Sequence, residues 1–284
     1  MPGHLQGVTF SQFDFDFRLL AYKWDARAYL QESYPAAQVS ATTAAITAQL
    51  LRWLQRTERR FARAIDFGCG PVLHHAAVLA PYVDELHLAD WYPVNLLEIQ
   101  SWLDAAPQTH DWDAHFKFAL ECEARLKTDD GRQASIQSAV CAEVLEERKA
   151  LLRERVRWRT GDLQQRYPLK LDEQYDLVAS FFCAETAALS KEDWPRVMGN
   201  LCELLAPGGN LLLAVMRNVQ RYTVGQKGFP CVCLSEKDLT EFFANDAFEP
   251  TQTEITVVEL PEWTPAGYGS FSLVKVQKRK EQRK

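Results

Sequence analysis

The chain has 284 residues, of which 47% are hydrophobic and 25% are charged. This composition excludes a fully disordered chain, and the length suits one large α/β domain with a buried core. With 38 acidic against 32 basic residues, the formal net charge is −6, which argues against a dedicated nucleic-acid-binding protein. We find no run of eighteen apolar residues and no secretory signal pattern, so we expect no membrane span and no membrane partner.

The cysteines indicate a reducing compartment. Their number is seven, which is odd, and no two of them have the C-x-x-C spacing. We therefore expect reduced thiols and a cytoplasmic protein. Cys231 and Cys233 would form half of a metal site, but His74 and His75 are the only second pair of suitable type, and adjacent histidines need not converge on one ion. We expect no bound metal.

Helices and strands are predicted to alternate along the chain from residue 40 onward. The helices are predicted over 40–62, from after 71 to about 80, and over 93–103, 112–154 with a break at 129–131, 190–205 and 235–243. The strands are predicted over 61–68, 85–90, 156–162, 175–182, 210–216, about 252–260 and 270–277. Five rounds of strand and helix indicate a doubly wound, mostly parallel, seven-stranded sheet of the α/β class. The last two strands fit an antiparallel hairpin at its edge.

A glycine-containing turn, Asp66-Phe67-Gly68-Cys69-Gly70-Pro71, follows the first predicted strand. Its two glycines allow a ligand to approach the backbone closely. The turn is not the dinucleotide pattern G-x-G-x-x-G, because Leu73 stands where the third glycine would be. Asp66 directly before the turn would repel a pyrophosphate and tolerate a cationic ligand, such as the sulfonium and ammonium of S-adenosylmethionine.

Acidic residues stand at the ends of the first three predicted strands. Asp90 comes about twenty residues after the glycine turn, where an acid can bind both ribose hydroxyls. Asp162 ends the third strand and would accept a hydrogen bond from an adenine amino group. Because the carboxyl ends of the strands meet at one crevice of a doubly wound sheet, Asp66, Asp90 and Asp162 together predict an adenosyl-cation site.

Motifs spread over most of the chain, from about residue 13 to 277, resemble one known family. They resemble the nicotinamide, phenylethanolamine and indolethylamine N-methyltransferases, which are single-domain cytosolic enzymes. The motifs are Asp66-x-Gly-x-Gly-Pro71, Asp90-x-x-x-x-Asn95, Leu-Leu-x-Pro-Gly-Gly209 and Phe271-Ser-Leu-Val274, with Trp102, Asp111-Trp112 and Tyr29-Leu-x-x-x-Tyr34 narrowing the resemblance.

The resemblance implies a Rossmann-like class I methyltransferase that transfers a methyl group from S-adenosyl-L-methionine to a small-molecule amine. It implies an N-terminal helical lid over 1–62 and a cofactor-binding domain over 63–277, with a helical insertion at about 112–154. The basic tail over 278–284 is expected to be solvated. We expect a monomer.

The resemblance also assigns roles to individual residues. From the residues alone, Tyr29 and Tyr34 would be taken as core, because a five-residue spacing does not place both on one helix face. The resemblance instead places both on the lid, at the methionine carboxylate. It implies further that His74 lies near this carboxylate and that the backbone of Gly68 and Gly70 runs beside the methionine portion. Asp90 and Asn95 would hold the ribose, and Asp162 and Leu163 would line the adenine. Tyr222 would cover the substrate.

The methyl acceptor is less well determined. The nicotinamide enzyme has an acid after the fifth strand, but residues 214–218 contain none, so nicotinamide is disfavoured. Glu185 is the best candidate for orienting a cationic acceptor and taking its proton, with Glu259 or Glu262 as alternatives. Arg217 would bind an acceptor carboxylate or hold Glu185. Two other functions stay open: methylation of a thiol, selenol or phenol on the same scaffold, and a catalytically inactive cofactor-binding partner protein.

Overall fold

A computed structural model describes residues 24–127, 140–170, 172–224, 227–260 and 269–280. In these ranges, seven strands form one sheet and two form a separate antiparallel pair. The strands are β1 (Phe61–Phe67), β2 (Val83–Asp90), β3 (Val156–Thr160), β4 (Tyr175–Phe181), β5 (Leu205–Met216), β6 (Arg221–Val224), β7 (Lys227–Pro230), β8 (Glu254–Glu259) and β9 (Ser270–Gln277).

The strand order in the large sheet is β3-β2-β1-β4-β5-β9-β8. Strands β1 to β5 pair in parallel, whereas β9 is antiparallel to both β5 and β8. The predicted doubly wound sheet with an antiparallel pair at its edge is therefore confirmed. The order of the strands reverses between β1 and β4, and such a reversal opens a crevice at the carboxyl ends of the strands.

Helices cover both faces of the sheet. Several begin with recognisable signals: Ser40 accepts a hydrogen bond from the Thr43 N–H, Ser235 and Asp238 form a capping box, and Pro93 opens a helix. The helices are α1 (Ala26–Ser33), α2 (Ala41–Thr57), α3 (His74–Leu79), α4 (Pro93–Leu103), α5 (Asp113–Lys127), α6 (Ala142–Arg155), α7 (Ala184–Ala187), α8 (Trp194–Glu203) and α9 (Glu236–Phe243). None in the described ranges is long and apolar enough to cross a membrane.

The core consists of two apolar clusters, one on each side of the sheet. One contains Leu51 of α2 and Phe116 of α5, and the other contains Trp194 of α8 and Phe243 of α9. The central strands are buried along nearly their whole length, as expected for parallel strands with both faces covered. This packing fixes the carboxyl ends of β1, β2 and β4 relative to one another.

Some boundaries differ from those predicted. Strand β5 begins at Leu205, five residues earlier than predicted, because Leu205 pairs with Tyr175 of β4 before a shift in register. The antiparallel pair β6–β7 was not predicted, since each strand has four residues. The predicted basic tail is held at its start, where the Lys278 ammonium donates to the Leu205 carbonyl over 2.9 Å. Residues 281–284 lie outside the described ranges.

Candidate active site

A cavity of about 780 Å³ lies at the carboxyl ends of β1, β2 and β4. Its volume falls in the range of small-molecule sites. Helix α1, the turn after β1, the loop after β3 and the β6–β7 pair all contribute to its wall. The predicted site residues on the wall are Tyr29, Tyr34, Gly68, Gly70, Asp90, Asn95, Asp162, Leu163 and Tyr222.

The glycine turn serves two different purposes. Both glycines have positive φ, +74° at Gly68 and +60° at Gly70, which favours glycine at these positions. A Cβ on Gly68 would stand 2.1 Å from the Cys183 Sγ, so this glycine is required by protein packing. A Cβ on Gly70 would meet no atom within 4 Å. Gly70 therefore leaves open space at the wall, which suits a ligand close to the backbone.

Asp90 is the centre of a hydrogen-bond network at the end of β2. Its Oδ2 accepts from the Gly70 N–H over 2.8 Å, and its Oδ1 accepts from the Tyr92 N–H over 2.8 Å and the Asn95 amide over 3.0 Å. The Asn95 Oδ1 accepts in turn from the Trp24 indole over 2.7 Å. Burial raises the pKa of Asp90 to about 6, although these donors oppose the rise. The network fixes the orientation of the carboxylate.

The two predicted lid tyrosines meet at the cavity. Tyr29 lies within α1, whereas Tyr34 follows the helix with φ −135° and ψ 58°. Their hydroxyl oxygens are 3.4 Å apart and their ring centroids 5.6 Å apart. Because Tyr34 has left the helix, the five-residue spacing no longer separates the two side chains. Both hydroxyls therefore reach the same part of the cavity wall.

The loop after β3 carries the predicted adenine contacts. The Asp162 Oδ1 accepts from the Gln164 N–H over 2.9 Å, and the Asp162 N–H donates to the Pro168 carbonyl over 2.9 Å. Leu163 is buried, and its carbonyl accepts from the Asn200 amide over 2.8 Å. The turn is thus rigidly held and presents an acceptor and an apolar side chain to the cavity.

Aromatic rings form another part of the wall, between α1 and the β6–β7 pair. The ring of Tyr222 stacks on Phe229 with centroids 5.3 Å apart. Trp24 stacks on Tyr92 at 5.6 Å and meets the edge of Phe229 at 5.6 Å. Desolvation raises the pKa of Tyr222 well above its ordinary value, so its hydroxyl stays protonated at neutral pH. Sequence analysis named Tyr222 but missed its aromatic neighbours.

The structure does not place the Glu185 side chain on the cavity wall. Glu185 is buried, and its Oε1 accepts from the Met216 N–H over 2.8 Å, which joins the carboxyl ends of β4 and β5. The Val232 N–H donates to the Glu185 carbonyl over 2.8 Å. Burial raises the pKa of Glu185 to about 7. The Glu185 Oε1 thus binds backbone that supports the wall.

The other described charged candidates for acceptor binding, Arg217 and Glu259, also lie off the wall. The Arg217 guanidinium pairs with Glu236 at 2.6 Å and donates to the Ser270 Oγ over 3.3 Å, so it neither holds Glu185 nor faces the cavity. Glu259 is exposed at the end of β8. Glu262 lies outside the described residues. No described residue among these candidates brings a charge to the aromatic part of the wall.

His74 is off the wall as well, whereas its neighbour His75 is on it. The His74 ring packs against Tyr34, with centroids 4.9 Å apart, and against Trp112 at 5.8 Å. The prediction for His74 followed from the position it shares with a family tyrosine. Which of these two adjacent histidines lies on the wall depends on how α3 packs on the sheet, and the local sequence does not indicate this.

Comparison with known proteins identifies the family. A family model described as the NNMT/PNMT/TEMT family matches residues 18–275. Indolethylamine N-methyltransferase from Oryctolagus cuniculus is 26% identical over 66% of both chains, and that from Mus musculus is 31% identical over 64% of both. The match thus spans slightly less than two thirds of the length of each of these relatives.

A solved structure supports the fold independently. The Burkholderia thailandensis 1,6-didemethyltoxoflavin-N1-methyltransferase aligns with 97% of this chain and 94% of its own, at a TM-score of 0.53 and 13% identity. This likeness shows a class I methyltransferase fold. Since the family model covers most of the residues, the chain belongs to the NNMT/PNMT/TEMT family.

Proposed function

We propose that the protein is an S-adenosylmethionine-dependent N-methyltransferase acting on a small-molecule amine. Membership of the family supports this reaction class, as does the similarity to the two indolethylamine N-methyltransferases. The observation that carries the proposal is the Asp90 network beside the open backbone at Gly70. A fixed carboxylate at the end of β2 is suited to binding the two hydroxyls of a ribose.

The charges on the wall favour this cofactor over a dinucleotide. Among the described wall residues the carboxylates are Asp90 and Asp162, and the one lysine or arginine is Lys191. A pyrophosphate would therefore meet more negative than positive charge, whereas a sulfonium would be tolerated. We assign ribose binding to Asp90 and Asn95, the adenine to Asp162 and Leu163, the methionine portion to Gly68 and Gly70, and its carboxylate to Tyr29 and Tyr34.

When bound, S-adenosylmethionine would supply the methyl group for the acceptor nitrogen, and the electron pair of the carbon–sulfur bond would remain on sulfur. The protein contributes mainly by orientation and exclusion of water. Tyr222, Phe229 and Trp24 provide apolar surfaces that hold a flat acceptor and desolvate its nitrogen. The Tyr222 hydroxyl donates to the acceptor as a neutral phenol.

The proton released from the acceptor passes to water in this proposal. The two carboxylates on the described wall are at the cofactor end, and Glu185 is directed to the Met216 N–H. This arrangement supports an acceptor nitrogen that is already uncharged at pH 7, because a protonated amine would need a base before attack.

All seven cysteines are free thiols, which suits the proposed cytoplasmic location. We further propose that the enzyme acts as a monomer.

Calorimetry with the product S-adenosylhomocysteine and with NAD tests the cofactor assignment. The wild-type protein is expected to bind S-adenosylhomocysteine and not NAD. Asp90→Ala is expected to weaken this binding by about 1–3 kcal/mol, because ribose hydroxyls lose their acceptor. Asp104→Ala, an exposed carboxylate after α4, is the matched control and should bind normally. Binding of NAD alone, or unchanged affinity in Asp90→Ala, would contradict the assignment.

A further inference from the structure

Trp24, which directly precedes the N-cap of α1, is joined to the Asp90 carboxylate by two consecutive hydrogen bonds. Its indole N–H donates to the Asn95 Oδ1 over 2.7 Å, and the Asn95 Nδ2 donates to the Asp90 Oδ1 over 3.0 Å. Asn95 is 2% exposed and Asp90 is 6% exposed, so water competes little for either side chain. The orientation of the Asn95 amide therefore decides what the Asp90 carboxylate faces on this side.

The indole fixes which end of the Asn95 amide faces Asp90. An indole N–H can only donate, so the amide atom beside Trp24 must be the oxygen, and the NH₂ group is then directed to the carboxylate. A flipped amide would place two donors together at Trp24 and two acceptors together at Asp90. In the observed orientation, Asn95 donates to the charged form of Asp90 and offers no acceptor to its protonated form.

Aromatic packing holds the indole in this direction. The Trp24 ring stacks on Tyr92, with centroids 5.6 Å apart and an interplanar angle of 12°. It also meets the edge of Phe229 at 5.6 Å and the ring of Tyr29 at 4.9 Å. Rings on more than one side leave the indole little freedom to turn its N–H away from Asn95.

We propose that Trp24 is a positioning residue of the ribose site, which acts through Asn95 to keep the Asp90 carboxylate in its charged form. This inference rests on the proposed function, in which Asp90 and Asn95 hold the ribose. A charged carboxylate only accepts hydrogen bonds and suits the two ribose hydroxyls, whereas a protonated one has less acceptor capacity. The start of α1 thus controls the protonation of a carboxylate at the end of β2.

The charged form of Asp90 depends on its hydrogen-bond donors. Burial raises the pKa of Asp90 to about 6, and the donors from Tyr92, Gly70 and Asn95 oppose this rise. Without the indole N–H, the Asn95 amide is free to turn and accept a hydrogen bond from protonated Asp90, which raises the pKa further. A rise of about one unit makes the proton affinity about tenfold higher, so less of Asp90 is charged below pH 7.

The other titratable groups that face Asp90 are the Tyr92 phenol, the thiols of Cys69 and Cys183, and the carboxylate of Asp66 on β1. Burial raises the pKa of the phenol to about 12 and that of both thiols well above its ordinary value, so these groups are uncharged at neutral pH. A substitution at Trp24 leaves all four groups in place. Their effect on Asp90 is therefore shared by the wild type and the variant.

Trp24→Phe tests the proposal, because it keeps an aromatic ring and removes the N–H. Calorimetry with S-adenosylhomocysteine compares the affinities of wild type and variant from pH 5.5 to pH 8. At pH 8, where Asp90 is charged in both proteins, the variant is expected to bind about two- to threefold more weakly. At pH 5.5 the ratio of the two affinities is expected to widen by a further five- to tenfold or so, because a pKa raised by about one unit leaves less of Asp90 charged.

Trp158→Phe is the matched control. The Trp158 indole also donates to a side-chain amide, that of Gln100, but Trp158 is 40% exposed on β3 and lies off the cavity wall. This variant should bind S-adenosylhomocysteine like the wild type at every pH.

The Asn95→Ala background gives a second readout. Because Trp24 is proposed to act through Asn95, adding Trp24→Phe to Asn95→Ala should change the affinity less than about twofold at every pH. A ratio of wild-type to Trp24→Phe affinity that stays constant across pH, or an undiminished loss in the Asn95→Ala background, would overturn the proposal for Trp24. Absence of S-adenosylhomocysteine binding to the wild type at pH 8 would instead refute the proposed function itself.

Discussion

Replacing Glu185 by glutamine is expected to change how the stability of the protein depends on pH. Glu185 is 0% exposed, its Oε1 accepts from the Met216 N–H over 2.8 Å, and its Oε2 has no partner among the described residues. Burial raises its pKa from 4.5 to about 7. Glutamine keeps the shape and the acceptor for Met216 and removes the ionisable group.

The size of the effect follows from this pKa shift. A rise from 4.5 to about 7 corresponds to about 3 kcal/mol, since each unit is worth about 1.4 kcal/mol. Between these values the folded protein holds a proton that the unfolded chain has released, so the free energy of unfolding falls as the pH rises and levels off above about pH 7. The amide of glutamine adds donors without partners, which costs about 1–3 kcal/mol at every pH. The stability of Glu185→Gln relative to wild type should therefore increase by about 2.5 kcal/mol from pH 5 to pH 8, since part of the full effect already lies below pH 5.

Urea unfolding followed by fluorescence of the eight tryptophans measures this difference. The wild type, Glu185→Gln and the exposed control Glu203→Gln are compared at pH 5, 6, 7 and 8. Other titrating groups, such as Asp90 with its pKa of about 6, contribute equally to all three proteins and cancel. The stability difference between Glu185→Gln and wild type could instead be the same at every pH. That result would refute a buried Glu185 carboxyl with one oxygen lacking a partner.

Gly68→Ala is expected to destabilise the protein by about 3 kcal/mol or more in urea unfolding, because positive φ is strained for alanine and its Cβ would lie 2.1 Å from the Cys183 Sγ. Adding Cys183→Gly should recover the steric part, because it removes both the Sγ at 2.1 Å and the Cβ at 2.3 Å, and equal stability of the single and double variants would exclude this clash. Removal of residues 1–37 is expected to leave a folded protein that binds S-adenosylhomocysteine at least about tenfold more weakly, because Tyr29, Tyr34 and the hydrogen bond from Trp24 to Asn95 are lost. Unchanged affinity in calorimetry would contradict the predicted lid.

The parts of the fold and site that depend on local patterns could be predicted from the sequence. The apolar runs of β1, β4 and β5 and the glycine turn identify the crevice before any tertiary contact is known. Asp90 follows from its place at the end of the second predicted strand, and Asn95 follows from the family resemblance. In the structure, the helix that starts at Pro93 brings Asn95, five residues after Asp90, back to the strand end. The end of α1 at Tyr34 was also predictable, since Pro35 disfavours a helical conformation in the residue before it.

The parts that depend on tertiary contacts could not be predicted. Adjacent residues on a helix point about 100° apart, so the choice between His74 and His75 depends on how α3 is rotated against β1 and β4. Glu185 stands at a strand end, as predicted, but its direction is set by the Met216 N–H, 31 residues further along the chain. The pair of Arg217 with Glu236 likewise joins β5 to α9, which no local pattern indicates.

The most direct test of the proposed activity is transfer of an isotope-labelled methyl group from S-adenosylmethionine to a panel of small acceptors. The panel contains heteroaromatic and aryl amines, protonated alkylamines, thiols and phenols, with Asp90→Ala and Asp104→Ala measured in parallel. We expect label on the nitrogen of a flat, uncharged amine, with greatly reduced transfer in Asp90→Ala and normal transfer in Asp104→Ala. Transfer confined to thiols or phenols, or no transfer to any acceptor by a protein that binds the cofactor, would contradict the proposed N-methyltransferase.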